Sequence, residues 1–401
     1  MAALAPVHQG ITSRKLKAAV FVLEGLNSLS TTYYFYYLYF YTREKFQFGT
    51  LQNLWLAAGL GFLYAFGSLF GGRFAQKFGY FTAIELGVSA MLISFFACAF
   101  VTSWQALILL TMMGNVGMSL VWPAVEALAS EGELPARLPA VVGLYNLVWS
   151  VTAALAYFTG GLMMDKWGAR TIFFLPAAIM AAELVIIVLV HIGARRESTF
   201  EPAIVRPLLH AEPEGYKSPI APQTFLKMAW IANPMAYIAA NTVIPTIPSI
   251  AKKMAFTPAM AGFVCSLWFF TRTATFIGLR LWPGWHYRFR FLASTYIAMI
   301  ISFAGILLAP NQWILLPSEA LFGIALGLIY YSSLFYSMDV GETKGEHGGL
   351  HEAAIGFGNG TGPAVAAITL TALPSIRASG TLAVCGILII GLAALFWIRF
   401  A

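Results

Sequence analysis

The residues able to do chemistry in this sequence stand singly or in short stripes inside long apolar runs. Glu24, Asn27, Ser28 and Thr31 fall at helical spacing in VFVLEGLNSLSTTYYFYYLYFY and would share one face of a helix. Asn115, Ser119, Trp122 and Glu126 form a second stripe, Asn233, Tyr237 and Asn241 a third, and Glu319, Gly323 and Tyr330 a fourth. Tyr145, Asn146 and Trp149 lie in another run and Arg272 in the middle of another. A further run opens with Glu346-His347-Gly-Gly-Leu-His351-Glu352 and continues to Asn359.

These residue types bind and release protons and hydrogen-bond solutes. A carboxyl group at membrane depth is costly unless paired or hydrated, so each is a functional candidate by default. Glu24 is the first proton-carrying candidate, with Glu126, His351 and Glu352 beside it; a structural ion pair is the competing reading of Glu24. Glu126 is close to the end of its run, where a solvated gate residue is the simpler reading. Glu183 is read as packing. Arg272 either holds an anionic solute or pairs with Glu319, and the internal pair is favoured because an unpaired arginine is the costlier state. His347 and His351 are spaced i, i+4 beside Glu352, as a divalent metal would want. The ligand set is incomplete, so no metal site is assigned; metal binding at these three residues stays a minor alternative beside a pH-responsive gate or ordinary packing. No cofactor is expected.

The elements that must position these groups follow from composition. Of 401 residues, 59% are hydrophobic and 10% charged, against about 25% charged in soluble domains, so the missing solvent is lipid. The formal charge of +7 is carried between apolar runs. It fits an anionic membrane surface rather than nucleic acid. A bilayer core needs about 20 apolar residues per helix. Such runs fall at 17–41, 50–74, 81–102, 104–129, 138–164, 170–193, 224–251, 258–281, 290–309, 311–338, 347–374 and 380–399. The first is too long for a signal-peptide core and is read as a retained helix.

The charged, Pro-rich stretch 194–223 separates an N-terminal six-helix bundle (1–193) from a C-terminal one (224–401). The other loops leave no room for a soluble catalytic domain, which argues against an enzyme, and no phosphate-binding loop is present. Cys98, Cys265 and Cys385 lie far apart in apolar runs and read as buried hydrophobes. With the N-terminus cytoplasmic, sixteen Lys and Arg fall on that side and seven on the other. This predicts a multi-pass inner (plasma) membrane protein with both termini cytoplasmic. Tyr39 and Tyr41, ending the aromatic run from Tyr33, are expected in an interfacial belt; stacking of the inner tyrosines on a flat or sugar-like solute is the less common alternative. The glycines from Gly356 to Gly362 are expected to flex or unwind their helix.

Twelve helices in about 400 residues with a central basic linker resemble the major facilitator superfamily. That family's Gly-x-x-x-Asp-(Arg/Lys)-x-Gly-(Arg/Lys)-(Arg/Lys) loop is matched in part by Gly72, Lys77 and Gly79, with Gln76 in place of the aspartate. A fuller copy is Gly161, Asp165, Lys166, Gly168 and Arg170. The resemblance implies an all-α integral membrane fold of two six-helix bundles related by a pseudo-twofold axis. It implies that these loops gate, Asp165 taking a latch role on the outer side. It places the first, fourth, seventh and tenth helices around a cavity. The cavity is then expected to hold Asn27, Thr31, Asn115, Trp122, Tyr145, Asn146, Trp149, Asn233, Tyr237, Asn241, Arg272, Glu319, Tyr330 and Asn359. The function expected is secondary active transport of a small amphipathic or polar organic solute by alternating access, with protons as coupling ion. A monomer surrounded by lipid, with no nucleic-acid partner, is expected. Lipid or lysolipid transport, metal or metallophore carriage, and a non-transporting receptor or scaffold are the alternatives.

Overall fold

In lipid every backbone N–H and C=O must be satisfied within the chain, so long apolar runs become helices. The computed structural model describes residues 14–130, 138–197, 220–340 and 345–400, and most of the 194–223 linker lies outside the described residues. The helices are α1 (Arg14–Phe46), α2 (Thr50–Phe78), α3 (Tyr80–Cys98), α4 (Trp104–Ser130), α5 (Leu138–Trp167), α6 (Thr171–Glu197) and α7 (Pro222–Val243). They continue as α8 (Ile247–Lys253), α9 (Pro258–Cys265), α10 (Leu267–Leu281), α11 (Phe289–Leu308), α12 (Gln312–Val340), α13 (Gly345–Ala372) and α14 (Ser379–Phe400).

Two expected passes are interrupted. The 224–251 run divides into α7 and α8 around a 3-10 turn at Ile244–Thr246. Pro245 and Pro248 lack an N–H and their rings crowd the carbonyls four residues back, so the α pattern cannot run on. The 258–281 run breaks only at Ser266, between α9 and α10.

Helices α1 to α6 form one six-pass bundle, with α1 on α5 and α6, α3 on α4 and α6, and α2 on α4. Helices α7 to α14 form the second, with α12 on α7, α10 and α11, and α14 on α7 and α13. The end where α1 begins is termed the near end; the end where α1 turns into α2 is the far end. The bundles meet along α2–α13 and along α5 with α9 and α10.

The α13 glycines serve these contacts. The helix is continuous from Gly345 to Ala372, so they do not unwind it as expected. A Cβ on Gly356 would strike the Ala65 backbone and one on Gly360 would strike Phe62, both on α2. On Gly358 and Gly362 it would strike α7 at Pro234, Tyr237 and Ile238. Spacing of four puts each pair on one face, so α13 carries two small-residue stripes and touches both bundles closely.

Among the described residues, nine helices are long and apolar enough to cross a membrane. Their outward faces carry Phe66, Phe70, Leu109, Leu189, Ile301 and Ile390, all exposed. Those of α1, α7 and α13 are not among the nine, and each contributes polar groups to the interior. The aromatic run of α1 corrects a second expectation. Tyr33, Tyr34, Tyr37, Tyr39 and Tyr41 are all buried, because α1 is wrapped by α4, α5 and α6. Tyr39 and Tyr41 therefore do not form a lipid-facing belt.

Candidate functional site

A cavity of about 220 Å³ lies between the two bundles. The first bundle lines it with Ser28, Thr31, Thr32, Phe35, Tyr36 and Tyr39 of α1, Leu60, Gly61 and Tyr64 of α2, Asn115, Met118 and Trp122 of α4, and Tyr145, Trp149 and Ala153 of α5. The second contributes Tyr237 and Asn241 of α7, Phe269 and Arg272 of α10, Tyr330 of α12, and Glu352, Ile355 and Asn359 of α13.

Hydrogen bonds between helices hold these side chains. Asn115 donates from Nδ2 to the Leu60 carbonyl at 2.9 Å, tying α4 to α2. Ser28 donates to the Trp149 carbonyl at 2.8 Å, tying α1 to α5. The Trp149 indole donates to Asn146 Oδ1 at 3.0 Å, which sets its ring. Asn241 donates to Asn359 Oδ1 at 2.5 Å, between α7 and α13. Tyr64 donates to Glu352 Oε2 at 2.5 Å, joining the two bundles at the cavity wall. The walls are thus aromatic and amide-bearing, with one cationic side chain, Arg272, and one acidic side chain, Glu352, among the described residues. Such a lining binds a small organic solute by stacking and by directed hydrogen bonds.

Of the residues expected in the cavity, Asn27, Asn146, Asn233 and Glu319 are buried but do not line it. Asn27 stands one turn from cavity-lining Thr31, but its amide is enclosed with neither Oδ1 nor Nδ2 partnered. Glu24 is fully buried and neither carboxyl oxygen has a hydrogen-bond partner; it too is off the wall. Glu126 is half-buried, with Oε2 enclosed and unpartnered, and so is less solvated than its place near the helix end implied.

The expected Arg272–Glu319 pair is not formed. Both Glu319 oxygens are buried without a partner. Arg272 instead has its guanidinium over the rings of Trp149, Trp268 and Phe269 at 4.5, 4.9 and 4.7 Å. Glu183 is fully buried with both oxygens unpartnered. The side chains of His347 and His351 lie outside the described residues. Among the described residues no group of three His, Cys, Asp or Glu is placed to hold a metal.

Phe35, Tyr39, Tyr64 and Phe269 line the cavity and were not among the expected residues, while Tyr36 lines it as one of the inner tyrosines offered for stacking. Continuing the Ser28–Thr31 stripe by threes and fours reaches Phe35, Tyr36 and Tyr39, so helical spacing held that signal. Nothing local marks Tyr64, whose partner is 288 residues away in the chain.

The two loops expected to gate share one local structure. Gly79 ends α2 with φ +98° and Gly168 ends α5 with φ +89°, a conformation that favours glycine. Lys77 lies over Phe78 and Lys166 over Trp167. Gly72 and Gly161 stand seven residues before these glycines, and Arg170 lies in the turn into α6. The far-end copy reaches across to the other bundle. Asp165 Oδ2 accepts from the Ala259 amide at 3.0 Å, while Thr257 caps Met260 in the same first turn of α9. A Cβ on Gly161 would strike the Pro258 carbonyl. Nearby, Arg43 donates to Ser249 Oγ at 2.7 Å and Thr50 Oγ1 lies 2.6 Å from it. The far end is therefore closed by contacts between the bundles.

Comparison with known proteins agrees with this architecture. The sequence matches the Major Facilitator Superfamily over residues 20–340. Two crystal structures of the nucleoside transporter NupG, one of them a point mutant, superpose with TM-scores of 0.67 and 0.68 at 13% identity. They cover 96% of this chain and 98 and 99% of those chains. At that identity the likeness shows the fold. The methylenomycin A resistance protein of Bacillus subtilis (strain 168) is 30% identical over 128 residues, 31% of this chain and 28% of that relative, so the match spans less than a third of either. The residues 20–340 that match the family cover most of both bundles, and the chain belongs to the major facilitator superfamily of multi-pass membrane transporters.

Proposed function

We propose that this protein carries a small amphipathic or polar organic solute across the inner (plasma) membrane by alternating access, drawing on the proton gradient. The observation that carries this reading is the cavity between two bundles that meet at the far end through two sets of polar contacts, at Asp165 and at Ser249, beside the packed α5–α9 seam. Rocking of one bundle on the other would break Asp165–Ala259 and the Ser249 bonds and open the cavity to the far side. All the residues that line the cavity come from one chain, which supports a monomer as the working unit. Residues 194–223 serve as the link between the bundles. The excess of Lys and Arg at the near end supports a cytoplasmic placement of that end and of both termini.

Glu24 and Glu352 are the proton carriers in this account. Glu24 has no protein partner for either oxygen, and Glu352 stands on the cavity wall. A carboxyl that exchanges a proton as its access changes from one side to the other couples the gradient to the cycle. The test is uptake or efflux in proteoliposomes under an imposed pH gradient, with solutes first chosen by thermal shift of the purified protein. Glu24→Gln is expected to abolish gradient-driven accumulation while leaving passive exchange. If Glu24→Gln and Glu352→Gln both keep full accumulation, proton coupling through these residues is wrong.

A further inference from the structure

A guanidinium buried in a membrane protein needs a counter-charge. Carboxyl groups can escape that need by holding a proton, but arginine has no accessible neutral form. Arg272 is only 6% exposed and lines the central cavity. Its Nε is enclosed with no partner, and no hydrogen bond or ion pair to it is found among the described residues. Glu319 on α12, the acid nearest to hand by sequence reasoning, is unpartnered as well. Three rings surround the guanidinium, Trp268 and Phe269 from its own helix and Trp149 from α5 of the other bundle. Rings over its faces hold the planar group and keep water off it, while its edge can meet an acceptor in the cavity.

The geometry points to Arg272 as the subsite for an organic anion, a carboxylate borne on a small planar ring. A carboxylate accepts two parallel N–H bonds from the guanidinium edge. Tyr36, Tyr237 and Tyr330 line the same cavity and give the ring surfaces on which to stack. Among the described residues the acidic side chain on the wall is Glu352, which accepts from Tyr64 at the α2–α13 contact, and no ion pair joins it to Arg272. Trp149 belongs to the first bundle and Arg272 to the second, so an anion there is sensed by both. This inference rests on the cavity being the substrate site, as proposed above.

The test is equilibrium binding to the purified full-length protein, which needs no transport. The probes are two matched sets: 4-hydroxyphenylacetate, its primary amide and tyramine, and indole-3-acetate, its primary amide and tryptamine. In at least one set the carboxylate is expected to bind about ten-fold or more tighter than the amide and the amine. Arg272→Gln is expected to erase that preference, and Arg272→Lys to keep it in weakened form. The inference is overturned if neither carboxylate binds, if amide or amine binds as tightly in both sets, or if Arg272→Gln retains the preference. The wild-type comparison decides even if the glutamine variant does not fold. Anion binding without any uptake in proteoliposomes would sink the transporter reading and leave the subsite standing. Uptake of uncharged or cationic solutes alone would do the reverse.

Discussion

The α2–α3 loop at the near end and the α5–α6 loop at the far end are two copies of one design. In each, a helix ends on a glycine with positive φ, a lysine lies over the following aromatic ring, and an earlier glycine stands seven residues upstream. They differ at the fourth position after that first glycine, where the near loop has Gln76 and the far loop Asp165. Only the second is a carboxylate, and it takes a backbone N–H in the first turn of α9, where a helix favours negative charge. The same backbone thus serves as a plain turn or as a fastener between bundles, and one side chain decides which. The carboxylate adds one fastener to a far end that the Ser249 bonds and the Gly161–Pro258 approach also hold.

Breaking the far fastener sterically is expected to have the largest effect. Gly161→Val would push a side chain into the Pro258 carbonyl, an overpacking cost of about 1–3 kcal/mol. Transport in proteoliposomes should fall about ten-fold or more, with the purified protein still folded by circular dichroism. Normal transport would mean that α5 and α9 do not need this close approach. Removing the charge alone is milder. Asp165→Ala loses a cap worth about 1 kcal/mol, so the far-open population should rise about five-fold. Faster labelling of a cysteine placed at Thr32, on the cavity wall, by a membrane-impermeant reagent would register it. Ser249→Ala is the smallest. It removes the acceptor of Arg43 and the partner of Thr50, and a rise of about three-fold in the same labelling is expected.

Much of the architecture was legible because lipid allows the backbone few options. Apolar runs of the right length had to be helices, whereas the break of the seventh pass at Pro245 and Pro248 was not expected, because Pro234 in the same run is held inside α7. The stripes on α1, α4 and α7 led to Thr31, Asn115, Trp122, Tyr237 and Asn241 on the cavity wall. What spacing could not show was which neighbour each face meets. Asn27 shares the α1 stripe yet is enclosed and does not reach the wall. Tyr39 and Tyr41 match an interfacial belt in composition, but three helices cover them. Arg272 reads as half of an ion pair until Trp149, from a helix of the other bundle, is seen beside it. The glycines of α13 read as flexibility, although their two spacings of four were the signature of close contact with two neighbours.

The central claim is that the bundles rock about the cavity so that one end closes as the other opens. Distances between spin labels across each end test it directly. One pair would replace Lys45 and Lys252 at the far end, and another Lys77 and Arg280 at the near end; all four are exposed. In Asp165→Ala, the far-end distribution should gain a longer component relative to wild type, and the near-end distribution a shorter one in the same proportion. A far end that lengthens while the near end stays fixed, or no change at either, would contradict the account.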